Sequence, residues 1–241
     1  MKRWRFGVLV KVISILSYQA FAQTTYYSRT NGDWSDATSW STVSLGGPSA
    51  STVPNSSALV IIGDGDTITI SVDNTIVSGV EIHENGTLEI ADATTGHNLG
   101  TVNGTGTLRV ITDDTDATDF PGGSFADFLG TSGGKVIYHG SGSYTLPVSP
   151  SAFYDLTISG SGTVTLPDTD LIIVDDFSVE GGMTVLVSNS TSGNLDIGDS
   201  LDIAASSTLR LRAGTGRTIS VGTDIVLNGT FHTSGGGTGT H

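Results

Sequence analysis

Beyond residue 22 the apolar side chains of this chain fall at alternate positions in short runs. No stretch of ten residues carries the three-and-four spacing of an amphipathic helix. The runs predict strands at Leu59–Ile62, Thr67–Val72, Val80–His83, Thr87–Ile90, Thr107–Ile111, Lys135–Tyr138, Leu156–Ile158, Leu171–Val174, Thr184–Val187, Thr208–Leu211 and Asp224–Leu227. Turn residues separate them. With 33 Gly and abundant Thr and Ser, the composition opposes helix as well.

The runs also repeat. ENGTLEI at 84–90 aligns with GTGTLRV at 104–110, and HGSGSYTLP at 139–147 aligns with SGSGTVTLP at 159–167, each at an offset of 20. DIAASSTL at 202–209 aligns more loosely with DIVLNGTF at 224–231, at an offset of 22. Several short strands per period near 20 describe one solenoid coil per repeat, whose inward side chains are buried only by stacking. The expected fold is therefore all-β, a right-handed parallel β-helix of roughly 20-residue coils with an N-terminal cap. The alternative is a β-sandwich, whose hairpins Asn-Gly at 31–32, 85–86, 103–104 and 228–229 would close. The constant offset favours the solenoid, and it predicts that Leu88 stacks with Leu108 and Leu146 with Leu166.

The organisation along the chain follows. Lys2, Arg3 and Arg5 precede an apolar run from Phe6 to Tyr18, and Ala20-Phe21-Ala22 places small residues before Gln23. Residues 1–22 thus read as a secretory signal peptide, too short in its apolar run to anchor the chain in a bilayer. Residues 23–58 form the cap region, 59–112 a first β-solenoid stack, 113–134 an acidic and Gly-rich loop, and 135–241 a second stack. The last residues, TSGGGTGTH at 233–241, follow a strand without a cap, which reads as part of a longer chain.

TYYSRTNGDWSDATSWS at 25–41, VP at 53–54 and LVIIGDGDTITISV at 59–72 resemble the opening module of large secreted surface proteins of Bacteroidetes. FYDLTISGSGTVTLPDTDLIIVDDFSVEGG at 153–182 resembles their repeated coil. The first segment is also similar to the extracellular domain named for eight conserved glycines. The resemblance implies a cell-surface or secreted, adhesin-like protein, a type IX secretion cargo. It implies architecture more than chemistry and brings no catalytic residues.

Charge narrows the partners. Four of the ten Lys and Arg lie in the signal peptide and all 24 acids lie outside it, so the mature chain carries a formal charge of −18. Such a surface repels nucleic acid and anionic lipid, and it leaves surface glycans or other extracellular proteins as the expected partners. No membrane insertion is expected of the mature chain. No cysteine is present, so the fold is expected to stand without disulfides in spite of export.

Candidate chemistry is sparse. Asp113, Asp114, Asp116 and Asp119 offer hard oxygen ligands on one predicted loop and are the candidate Ca2+ site, although the EF-hand spacing is absent. A solvated acidic loop is the competing reading, and no other cofactor is expected. Trp34 and Trp40 are candidate stacking platforms for sugar rings, against the plainer role of sealing the first coil. A polysaccharide-cleaving β-helix would need carboxylates and a cation from adjacent coils, and Asp196, Asp199 and Asp202 with Arg210 and Arg212 come nearest. Gly130-Thr131-Ser132-Gly133-Gly134 matches a nucleophile elbow in composition only, because no helix is predicted after it. The five His show no paired metal spacing, and each reads as a surface residue. On these residues the chain is expected not to be an enzyme.

Overall fold

A computed structural model describes residues 23–113, 119–187, 193–211 and 218–233. The predicted signal peptide, 1–22, lies outside the described residues, as does the end of the tail from residue 234. The described chain is an all-β solenoid of stacked parallel coils, and its one helix is a single 3-10 turn at Ala37–Ser39. No described helix is long and apolar enough to cross a membrane.

One nine-stranded wall, here sheet I, runs through the described molecule. Its strands are Gly32–Asp33, Thr67–Ile70, Thr87–Ile90, Thr107–Ile111, Lys135–Gly140, Asp155–Gly160, Phe177–Val179, Leu201–Ile203 and Ile225–Leu227, all parallel to their neighbours. Alternation along each strand sends every second side chain inward. Parallel register then stacks like on like. One column runs Ile68, Leu88, Leu108, Val136, Leu156, Phe177 and Leu201, and a second runs Ile70, Ile90, Val110, Tyr138, Ile158, Val179 and Ile203. All of these are buried. Burying each such aliphatic side chain stabilises the stack by roughly 1.5–3 kcal/mol.

The expected pairings hold in both repeats with an offset of 20. Leu88 pairs with Leu108, and Tyr144 pairs with Val164 two residues before Leu146 and Leu166, which are both buried. The loose third alignment holds only at its end: Leu209 pairs with Phe231, but Asp202 lies opposite Val226 rather than Asp224. Two extra residues in the turn before Thr208 absorb the difference. Coil length is therefore not constant: it is 20 residues between Glu89 and Arg109 and 24 between Asp176 and Ser200.

The walls facing sheet I change at residues 113–134. Before them each coil adds one further strand, to the six-stranded sheet II: Thr25–Ser28, Leu59–Ile62, Gly79–Ile82, Asn98–Gly104 and Gly122–Ser124, closed at its start by antiparallel Trp40–Ser41. After them each coil adds two. Sheet III holds Ser143–Thr145, Gly162–Thr165, Met183–Val187, Thr208–Leu211 and Thr230–Thr233, and sheet IV holds Ala152–Phe153, Leu171–Ile173, Leu195–Ile197 and Ile219–Val221. The segment expected to be a loop contributes a strand of its own, and sheet I passes it without a break. The region expected to be the cap joins the first stack through strands of its own. Thr25–Ser28 and Gly32–Asp33 pair in parallel with Leu59–Ile62 and Thr67–Ile70.

Corners follow from backbone crowding. Gly160 holds a left-handed φ of 109°, and a Cβ there would lie 1.9 Å from the Gly140 carbonyl oxygen of the preceding coil. That is why Gly recurs after the sheet I strand in both SGSG-type repeats.

Leu88→Ala leaves a cavity in a continuous column and is expected to lower the unfolding free energy by about 2–5 kcal/mol. Val43→Ala, at a residue 67% exposed, is expected to change it by less than about 0.5 kcal/mol. Urea denaturation of the two variants checks the contrast.

Candidate functional site

The acids sit mostly at coil corners, where they bond the neighbouring coil. Asp92 Oδ1 accepts from the Asp113 amide at 3.2 Å, and Asp113 Oδ1 accepts from the Ser141 amide at 3.0 Å. Asp155 accepts from the Asp176 amide at 3.1 Å, and Asp176 from the Ser200 amide at 3.2 Å. Asp170 accepts from the Asn194 amide at 2.7 Å, and Asn194 from the Thr218 amide at 3.1 Å. Each rung satisfies an amide that the sheets do not reach at the corner. Three such ladders climb the solenoid.

This arrangement absorbs part of the candidate Ca2+ site. Asp113 is the middle rung of its ladder, Asp119 is exposed at the far side of the acidic run, and Asp114 and Asp116 lie outside the described residues. Among the described residues the carboxylates that converge are others: oxygens of Asp175, Asp176 and Asp199 lie within 4.8 Å of one another at a surface corner. Asp176 accepts from Ser200, and Asp199 accepts from the Thr223 hydroxyl. The signal for this group was the register itself, because Ile173 pairs with Ile197 and Phe177 with Leu201, setting Asp175 beside Asp199. Tyr154, hydrogen-bonded to Asp175 among these acids, has its phenol pushed up to about 12. Burial holds Asp155 above the ordinary carboxylate range, and Asp175 and Asp176 add to the effect against Lys135.

The remaining sequence candidates disperse. Asp196 lies on sheet IV, Asp202 on sheet I and Arg210 on sheet III, three separate walls, while Arg212 lies outside the described residues. Ser132 sits in a turn with φ of 62° that leads into the strand Lys135–Gly140. Trp34 and Trp40 are 3% and 0% exposed and pack edge-on at 5.0 Å, with the Trp40 indole donating to the Trp34 carbonyl. They seal the first coil and offer no ring face to a sugar. His97 departs from the expected surface position. It is buried, and burial lowers its pKa, so acidification below about 6.5 works against the fold.

Two of the molecule's concave surfaces stand out by volume. On the outer face of sheet I a groove of about 660 Å³ is lined by Arg109, Asp113, His139, Ser159 and Glu180. Within it Arg109 pairs with Glu89 at 3.3 Å and His139 Nδ1 lies 3.0 Å from Ser159 Oγ. The larger cleft, about 830 Å³, opens where sheet II gives way to sheet IV. Phe120, Pro121, Phe125, Leu129, Pro150 and Val174 make its apolar lining, and no lining residue carries a charge. Phe120 packs edge-on against Phe125 at 4.8 Å and Phe153 at 6.4 Å. Sequence reasoning passed over this cleft, although FPGGSFADF at 120–128 gathers three of the chain's eight Phe.

Asp155→Asn keeps the acceptor for the Asp176 amide and removes a charge that the folded state holds poorly. Because folding raises the Asp155 pKa, its contribution is favourable below the ordinary 3.8 and is lost as pH rises through the raised value. The variant is expected to be more stable than wild type at pH 7, by no more than about 1 kcal/mol. The difference should vanish in acid below the carboxylate range, and thermal melts across pH measure it. Compared with known proteins, the chain matches no family model, no curated protein and no solved structure.

Proposed function

We propose that the protein is an exported, non-catalytic structural module, adhesin-like, that stands in the extracellular space or on the cell surface and presents an extended acidic face. The observation that carries this reading is the use of the acids. Asp92, Asp113, Asp155, Asp170 and Asp176 serve as rungs between coils instead of converging with a cation on a scissile bond. Asp196, Asp202 and Arg210 face away from one another on three walls. A stack held by its own corners can be long and stiff without cysteines, which suits a spacer outside the cell. The basic and apolar start before Gln23 supports export, and the resemblance of 25–72 and 153–182 to Bacteroidetes surface modules supports an adhesin-like role. Surface glycans and other extracellular proteins are the partners in this reading, and nucleic acid is not.

Expression in an exporting host with N-terminal sequencing of the released protein tests the first half; the chain should begin at Gln23, and intact Met1 on exported material would defeat it. Incubation of the same material with neutral and acidic polysaccharides tests the second. No new reducing ends or unsaturated uronates are expected, and their steady release would establish a polysaccharide-degrading β-helix instead.

A further inference from the structure

The cleft at the change of walls has a feature that lining chemistry alone does not explain. Sheet II ends on Gly122–Ser124 and sheet IV begins on Ala152–Phe153, so each leaves one strand edge without a neighbour among the described residues. Gly122, Gly123 and Ala152 from these two edges all line the cleft. On the sheet IV side the direction of the free groups is fixed. The carbonyls of Ser151 and Phe153 accept from Ile172 and Val174 at 3.0 and 2.9 Å, so the intervening Ala152 turns its N–H and C=O away from the sheet, toward the cleft. An open edge of this kind is a template for another strand.

The surroundings specify what that strand carries. Val148, Ile172 and Val174 are 64%, 46% and 37% exposed beside the cleft. Ile172 stands at the start of a wall whose later outward residues in the same column are Asp196 and Ser220. Acids are chain neighbours of this neutral, apolar lining: Asp119 precedes Phe120, Asp127 follows Ala126, and Asp175 follows Val174. A whole-chain charge of −14 extends the same field. We propose that the cleft is a docking site for a short extended segment of another polypeptide, apolar at its centre and basic at its flanks. The segment adds as a strand to the Ala152–Phe153 edge. Its main chain bonds Ala152, its apolar side chains fill the space between Phe120, Leu129 and Val174, and its cations face the rim carboxylates.

The test uses the full chain and a fluorescent synthetic peptide that alternates valine and threonine between paired lysines. Three matched peptides accompany it: one with its central valine N-methylated, one with prolines in place of the central valines, and one with glutamates in place of the lysines. Saturable anisotropy is expected for the first peptide alone, together with an NMR shift of the Ala152 amide. Val174→Lys, at an exposed position, is expected to weaken binding by about tenfold or more. Equal binding of the N-methylated peptide would overturn strand addition, and equal binding of the acidic peptide would overturn the charge assignment. Absence of binding by the lysine peptide, or unchanged affinity in Val174→Lys, removes the site. Self-association abolished by Val174→Lys would show that a second copy fills the cleft. A neutral oligosaccharide that shifts Ala152 when the peptide does not would make it a glycan site. Either result overturns the proposal.

Discussion

A coil of this chain cannot satisfy its own backbone. Its N–H and C=O groups point along the solenoid axis, so each coil bonds the one before it and the one after it, and its inward side chains are dry only when both neighbours are present. This dependence explains why register is so strict along sheet I. A slip of one residue would turn Leu88, Leu108 and Val136 outward together and expose a whole column. It also explains why corners matter as much as strands. At a corner the ladder of backbone bonds pauses, and a side chain must complete it.

Aspartate fills that role here, and the acidity of the chain acquires a structural cause beyond solubility. The rung from Asp92 to Asp113 to Ser141 uses one carboxylate per coil, and so does the rung from Asp155 to Asp176 to Ser200. Stacking identical corners brings like charges close: it gathers Asp175, Asp176 and Asp199 within 4.8 Å and adds to the burial that raises Asp155. Each carboxylate offsets this repulsion by bonding an amide that the sheet ladders leave free, a bond typically worth about 0.5–1.5 kcal/mol.

The periodic part of this structure was legible from sequence, because an offset of 20 preserves both residue identity and side-chain direction in neighbouring coils. Leu88 with Leu108 and Tyr144 with Val164 follow directly from it. The non-periodic part was not legible. Asp202 matched Asp224 by identity, but turn length, which sequence alignment does not weigh, moved its partner to Val226. The strand Gly122–Ser124 has no apolar alternation to announce it, since its three residues are Gly, Gly and Ser and all are exposed. His97 read as surface because its burial depends on the segment that returns above it, where the Gly122 amide donates to the His97 carbonyl at 2.9 Å. Trp34 and Trp40 could be read as platform or seal, and only the contact between them decides for the seal. The apolar cleft escaped notice for the same reason as Gly122–Ser124: its walls come from segments between repeats.

The exchange of sheet II for sheets III and IV gives the molecule two cross-sections on one shared wall. That limits how such a gene can lengthen. Duplicating a unit within either block copies a coil onto its own outline, and every strand finds a partner. Moving a unit from one block to the other leaves a wall with no strand beside it. Growth by repeat gain is therefore confined within each block, and the junction between the blocks stays single however long the array becomes.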